Sequence, residues 1–182
     1  MDCTSLLPTP KPLGGAVAFG PNTVVYLNQA VPPCGIVLDS CYDGYTKFPL
    51  KDMKHLKMTL DCSTSVYMED GRIVVGSRDG DLYLLRLVTS SGGATVKSLE
   101  FSKVCDTYIA FTLTLCAPGH LFVGSRLGDS QLLEYTLLKV TKDSAKKQKL
   151  HEDPVDEDDL EIVWRLEMQQ NDDEVQISES LE

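Results

Sequence analysis

The sequence lacks most of the features by which metal-binding modules, secreted proteins and membrane proteins are recognised. Its six cysteines include no Cys-x-x-Cys pair, and its three histidines share no ligand spacing with them, so no metal site is expected. The start of the chain has neither a basic stretch nor a long apolar core, so no signal peptide is expected. No apolar run approaches the roughly 18 residues of a membrane helix. These absences favour a reducing, intracellular compartment.

Catalytic signatures are missing as well. Ser77 and Ser125 each stand in a Gly-Ser-Arg step, but neither lies in a Gly-x-Ser-x-Gly elbow and no helix is predicted to follow. The aspartates near 39–43 and 79–81 do not have the spacing of a calcium loop, and turn residues are the better interpretation. We therefore predict no catalytic residue, no cofactor and no small-molecule substrate, and we do not expect an enzyme.

Charge is distributed unevenly along the chain. Residues 151–182 hold thirteen acids and one arginine, a net charge of −12, whereas residues 1–150 have a net charge of +2. The near-neutral part argues against an overall electrostatic attraction to nucleic acid, which needs a strongly basic face. It leaves room for a local basic patch.

The chain is rich in short runs of Val, Leu, Ile, Thr, Tyr and Phe that end at turn-forming residues, which is typical of strands. No segment before residue 138 sustains a helical period over eleven residues. The sequence therefore predicts an all-β fold. The expected strands are 16–19, 23–27, 35–40, 56–62, 72–77, 81–88, 94–101, 108–116, 120–125 and 130–138.

One hairpin sequence occurs twice. "GRIVVGSRDGDLYLLRL" (71–87) and "GHLFVGSRLGDSQLLEY" (119–135) are identical at nine of seventeen aligned positions. Gly80 and Gly128 are predicted to supply the positive φ of a tight turn. "AVAFGPNTVVYLN" (16–28) is a third and weaker copy.

This recurrence predicts a β-propeller. A hairpin every 48 to 56 residues, with two further strands between copies, is typical of propeller blades. Residues 14–138 provide about two and a half to three blades at roughly 40–50 residues each, whereas a ring closes with four or more. A partner must supply the missing blades, or the chain is a piece of a longer one; we expect a piece.

Composition divides the chain into five segments. Residues 1–12 are interpreted as a lead-in and residues 13–138 as the propeller blades. Residues 139–158 form a charged loop and residues 170–182 an acidic end, both expected to be disordered because they hold few aromatic residues. Apolar content returns at 159–169, where we expect a strand of the next blade or a short amphipathic helix.

Two groups of basic residues are candidate contact sites. Arg78 and Arg126 occupy matching hairpin corners, as in a basic ring that faces phosphate or acidic partners. The alternative, which we favour, is that each arginine satisfies groups in its own turn. A lysine cluster after the last hairpin is a candidate nuclear-import signal or phosphate contact. It comprises Lys139, Lys142, Lys146, Lys147 and Lys149.

The stretch "YLNQAVPPCGIVLDS" (26–40) resembles the largest subunit of the cleavage and polyadenylation specificity factor. In that family a Tyr-Leu-Asn-Gln-x-Val-Pro-Pro-x-Gly stretch follows a Gly-Gly strand. The similarity continues through both long hairpins to "VDEDDLEIVWRLE" and covers about residues 13–166. "GSRLGDSQL" alone is less specific, because the large subunit of the damage-specific DNA-binding complex has a similar segment, and a splicing factor subunit is also related.

The resemblance implies a non-catalytic scaffold of several seven-bladed propellers. It places the chain in the nucleus, in the complex that recognises the polyadenylation signal of pre-mRNA and directs 3′-end processing. Expected partners are the other subunits of that complex, with pre-mRNA contacted indirectly and no membrane involved. The alternative is a ubiquitin-ligase adaptor propeller of the damaged-DNA-binding type, which rests on "GSRLGDSQL". Direct RNA binding at 139–149 is a weaker third hypothesis.

Overall fold

The computed structural model describes residues 2–39, 46–68, 71–90, 95–141 and 162–170, and it confirms the all-β prediction. These residues form thirteen strands and one short 3-10 helix, with no α-helix in the described ranges. The strands make three sheets that follow one another along the chain. This is the arrangement expected of about three consecutive propeller blades.

The first sheet has five strands in chain order. They are β1 (Ser5–Pro8), β2 (Ala16–Phe19), β3 (Thr23–Asn28), β4 (Val31–Val37) and β5 (Leu50–Asp52). Neighbouring strands are antiparallel except β5, which runs parallel to β4. A 3-10 helix, η1 (Lys54–Leu56), follows. Strand β1 lies within the segment that composition assigned to a lead-in.

The second and third sheets each have four antiparallel strands in chain order. The second contains β6 (Thr64–Tyr67), β7 (Arg72–Gly76), β8 (Asp81–Thr89) and β9 (Val96–Asp106). The third contains β10 (Ala110–Ala117), β11 (His120–Ser125), β12 (Gln131–Thr141) and β13 (Ile162–Gln170). The repeated hairpin forms the second and third strands of each sheet: β2–β3, β7–β8 and β11–β12.

The C-terminal part of the third sheet differs from the expected segment boundaries. Strand β12 continues to Thr141 because residues 139–141 pair with residues 162–164 of β13. The strand expected at 159–169 for the next blade begins at Ile162 and is the outer strand of the third sheet. The rest of the two segments expected to be disordered, 142–158 and 171–182, lies outside the described residues.

The prediction of a strand at 56–62 is wrong. Lys57 and Cys62 have positive φ angles of 49° and 58°, which an extended strand does not allow. Leu60 is nevertheless fully buried, and its N–H donates to the carbonyl oxygen of Pro21 at 2.6 Å. The apolar alternation that suggested a strand comes from a linker that packs against the first hairpin.

The core has two layers, one between each pair of adjacent sheets. Strand β8 contributes to both, because successive side chains of a strand point to opposite faces. Tyr83, Leu85 and Leu87 pack against the first sheet. Leu82 and Leu84 pack against the third sheet. The second sheet is therefore apolar on both faces.

Tyr26 and Asn28 hold the loop that precedes β2. The buried Tyr26 hydroxyl donates to the carbonyl oxygen of Gly14 at 2.9 Å and lies 3.2 Å from that of Leu13. The Asn28 amide nitrogen donates to the Leu13 carbonyl and to the Tyr26 hydroxyl, both at 3.0 Å. Gly14 and Gly15 have φ angles of 62° and 77°, which favour glycine. The Tyr-Leu-Asn part of the stretch that carries the resemblance thus has a structural role.

Replacing Tyr26 with phenylalanine should lower the free energy of unfolding by about 1–2 kcal/mol, because buried polar groups lose a hydrogen-bond partner. Urea denaturation of Tyr26→Phe and the unmodified chain measures this difference. Tyr108→Phe is the matched control, since Tyr108 is half exposed, and it should change stability by less than about 0.5 kcal/mol. An unchanged denaturation midpoint for Tyr26→Phe would contradict the role assigned to this hydroxyl.

The two glycines of the repeated turns are required for different reasons. Gly80 has a φ of 87°, and a Cβ there would lie 2.6 Å from the carbonyl oxygen of Thr107. The predicted positive φ at Gly128 is wrong, because its φ lies outside that region. A Cβ at Gly128 would instead lie 2.8 Å from the ring of Tyr108. The second turn thus needs a residue with a left-handed backbone conformation at position 80. The third turn instead needs room for the ring of Tyr108 beside position 128.

Gly80→Ala should therefore destabilise the protein more than Gly128→Ala. The first substitution adds backbone strain and a backbone clash, which together cost about 1–3 kcal/mol. The second meets a half-exposed ring that can rotate away, at a cost below about 1 kcal/mol. Thermal unfolding of the two variants compares them directly, and equal losses would contradict this distinction.

Candidate functional site

The turns of the hairpins lie at one end of the sheets, together with the linkers between sheets. Thr64, at the start of β6, pairs with Gly76 at the end of β7, so the first linker arrives beside the second turn. Thr107, after β9, donates its N–H to the carbonyl oxygen of Gly80 at 2.6 Å, so the second linker does the same. We name this end the turn face and define it by residues 20–22, 77–80, 107–109 and 126–130.

The serines of the repeat are turn residues. Ser77 is buried, and its hydroxyl oxygen accepts the N–H groups of Asp79 and Asp81, each at 3.2 Å. The hydroxyl oxygen of Ser125 accepts the N–H of Leu127 at 3.3 Å. Because both hydroxyls serve the backbone of their own turns, turn geometry accounts for the serine of the repeated Gly-Ser-Arg sequence.

A lysine joins two carboxylates beside the second turn. Lys103 lies 2.9 Å from Asp81 and 2.6 Å from Asp106, and the Tyr83 hydroxyl donates to Asp81 at 3.2 Å. The hydrogen bonds to Asp106 and then Asp81 raise the pKa of Lys103, and the bond to Lys103 lowers the pKa of Asp106. Burial, followed by the Asp81 charge, raises the pKa of Tyr83. The carboxylates of Asp81 and Asp106 are thus both bound by Lys103.

Both predicted arginines lie exposed on the turn face. Arg78 is in the turn between β7 and β8. Arg126 follows β11, and its guanidinium carbon lies 4.7 Å from the centroid of the Phe111 ring, within cation–π distance. Arg126 therefore contacts a different strand as well as its own turn. Binding of phosphate or acidic partners by these arginines stays a prediction.

Sequence reasoning missed an apolar patch beside Arg126. Leu127 is 82% exposed, Phe111 is 63% exposed and Tyr108 is half exposed. In the sequence, this patch is indicated by Leu127, which occupies the turn position that Asp79 occupies in the second hairpin. Polar residues and glycine dominate such turns, so a leucine there indicates a surface with another use than the turn itself.

Most of the predicted lysine cluster lies outside the residues that the structure describes. Lys139 lies in β12, opposite Trp164 of β13. The other members, Lys142, Lys146, Lys147 and Lys149, fall outside the described residues. Nuclear import and phosphate contact through this cluster therefore stay predictions.

In the part of the chain that the structure describes, no three His, Cys, Asp or Glu side chains are grouped as metal ligands. Nor does any helix there have the length and apolar character needed to cross a membrane. Cys34 and Cys105 are half-buried, and burial raises the pKa of both thiols. Cys62 and Cys116 are exposed. Burial thus disfavours the thiolate form of Cys34 and Cys105.

The family model described as "RSE1/DDB1/CPSF1 first beta-propeller" matches residues 1–171. Two nematode proteins named "probable cleavage and polyadenylation specificity factor subunit 1" match the whole chain. The protein of Caenorhabditis briggsae is 82% identical and that of Caenorhabditis elegans is 74% identical, and the match covers 13% of each. Cleavage and polyadenylation specificity factor subunit 1 of Drosophila melanogaster is 38% identical over 74% of this chain and 9% of its own.

A more distant relative is named for DNA damage binding. DNA damage-binding protein 1 of Drosophila melanogaster is 30% identical over 72% of this chain and 10% of its own length. The chain thus spans between 9% and 13% of the length of these curated relatives.

Lys103→Gln should raise the pKa of Asp106 towards its ordinary value of 3.8. In the unmodified protein the folded pKa of Asp106 is below the unfolded one. The resulting stabilisation is present above about pH 3.8 and is lost as the pH falls through the folded pKa. The variant should therefore lose less stability on acidification. Carboxyl NMR titration and urea denaturation at about pH 6 and about pH 3 measure both effects.

Lys11→Gln is the control for this experiment, because Lys11 is an exposed lysine between β1 and β2. It should leave the Asp106 titration unchanged. If Lys103→Gln also leaves the Asp106 pKa unchanged, the lysine does not stabilise the carboxylate in solution.

Proposed function

We propose that this chain, which belongs to the RSE1/DDB1/CPSF1 first β-propeller family, is part of a non-catalytic scaffold in pre-mRNA cleavage and polyadenylation. The observation that carries the proposal is the identity over the whole chain with two relatives named as subunit 1 of the specificity factor. Relatives named for DNA damage binding are less similar and match less of the chain.

A scaffold role agrees with what the described side chains do. The repeated serines serve their own turns, and the carboxylates of Asp81 and Asp106 are bound by Lys103. What remains exposed is a set of turns, linkers and edges, the parts through which rigid β scaffolds contact partners. We propose other subunits of the cleavage and polyadenylation complex as those partners, within the nucleus.

Contact with pre-mRNA is proposed to be indirect. Residues 1–150 have a net charge of only +2, and binding to the phosphate backbone depends on many positive charges. The scaffold would support recognition of the polyadenylation signal by holding RNA-binding subunits in place.

The second candidate function is that of an adaptor propeller in a ubiquitin ligase of the damaged-DNA-binding type. It is supported by the "GSRLGDSQL" segment at 124–132, which forms the third hairpin turn, and by the similarity to DNA damage-binding protein 1. The two candidates predict different complexes.

Immunoprecipitation from nuclear extract distinguishes them, with an antibody raised against residues 14–60 and identification by mass spectrometry. The proposed function predicts recovery of polyadenylation-complex subunits, at levels well above a pre-immune control. Recovery of cullin components without those subunits would favour the adaptor function instead.

Depletion of the protein tests the scaffold function by its effect on 3′-end processing. Cleavage and polyadenylation of a reporter pre-mRNA should fall, and a depletion-resistant copy should restore both. Normal 3′-end processing after complete depletion would count decisively against the scaffold function.

A further inference from the structure

A groove of about 840 Å³ lies between the outer part of the first sheet and the edge of the second. Its walls are residues 31–35 of β4, residues 47–51 leading into β5, and residues 95–99 at the start of β9. Most of the lining is apolar, with Phe48 and Leu50 on one wall. The groove lies outside the turn face, and its β4 wall is the Val-Pro-Pro-Cys-Gly part of the stretch that carries the family resemblance.

Three lysines line the groove: Lys47, Lys51 and Lys97. All three are exposed, and none forms an ion pair with another described residue. Three positive charges beside an apolar lining attract a ligand that is both acidic and apolar.

The acidic residues adjacent in sequence to these walls are already paired. Glu100, one residue beyond the β9 wall, lies 2.6 Å from Arg86. Asp52, next to Lys51, lies 3.8 Å from Lys54 and also accepts its backbone N–H. These two carboxylates are therefore engaged away from the three lysines.

The backbone around the groove favours an extended ligand. Strand β9 is at the edge of the second sheet and β5 is at the edge of the first, and edge strands can pair with an added segment. Pro32 and Pro33 on the β4 wall have no N–H to donate. Main-chain pairing is therefore expected along β9, at residues 96–99.

We propose that this groove binds an extended acidic peptide of a partner protein, with apolar side chains between its carboxylates. The peptide pairs with the edge of β9, its apolar side chains contact Phe48 and Leu50, and its carboxylates meet the three lysines. Single-stranded nucleic acid fits less well, because it binds through several stacked aromatic rings, and Phe48 is the one aromatic residue in the described lining. The proposal goes beyond the scaffold function and does not depend on it.

A fluorescent peptide that alternates glutamate with leucine and valine is the probe for this groove. Anisotropy measured with the full chain at about 0.15 M salt should show saturable binding. The same peptide with lysine in place of glutamate should bind at least about tenfold more weakly. No binding of the glutamate peptide, or equal binding of the two peptides, would overturn the proposal.

Two matched double variants locate the binding. Lys51→Glu with Lys97→Glu should weaken binding of the glutamate peptide at least about tenfold. Lys11→Glu with Lys57→Glu changes the net charge equally at exposed lysines outside the groove and should weaken it less than about twofold. Equal weakening would mean that overall charge, rather than the groove, attracts the peptide. Tighter binding of an oligouridine that is lost in the groove variant would mean a nucleic-acid surface and overturn the proposal.

Photo-crosslinking tests the same site on the unmodified chain, whether or not the variants fold. A photoreactive version of the glutamate peptide should crosslink to residues 47–51 and 95–99, identified by mass spectrometry. Crosslinks confined to the turn face would overturn the proposal. Neither crosslinking result changes the expected outcome of the depletion experiment. The groove proposal and the scaffold function can therefore each be contradicted without the other.

Discussion

The second sheet can be buried only if another sheet packs on each of its faces. Strand β7 is buried along its whole length, and β8 sends alternate side chains into the two core layers. This constraint sets the positions of the first and third sheets. It also places the linkers beside the hairpin turns, so that the turn face forms, and brings β9 alongside the first sheet, where the lysine-lined groove forms.

The third sheet meets the same constraint on one side only, within the part of the chain that the structure describes. On the third sheet, Thr114, Phe122 and Leu132 form a row across three strands, opposite the side that packs on the second sheet. Leu132 is 42% exposed there. A neighbouring blade would cover this row, as expected for a match to 13% or less of the relatives' length.

The hairpins could be predicted from sequence because their signals are local: turn residues at fixed positions between apolar runs. The linker at 56–62 could not, since alternation reports burial and gives no φ angle, and Leu60 is buried without being in a strand. Strands β1 and β5 are too short to show a period. The contact of Arg126 with Phe111 joins separate strands, so only packing of the third sheet creates it. The groove likewise depends on how two sheets meet.

The length of β12 sets the distance between the two ends of the third sheet. Thr141 lies opposite Ile162, at the end remote from the turn face. At about 3.4 Å per residue, the eleven residues of β12 separate the two ends by about 35 Å. That distance is several Debye lengths at physiological salt. A charge held beside Thr141 is therefore screened from Arg126 at the other end of the sheet, so the turn face keeps its own electrostatic character whatever binds at the opposite end.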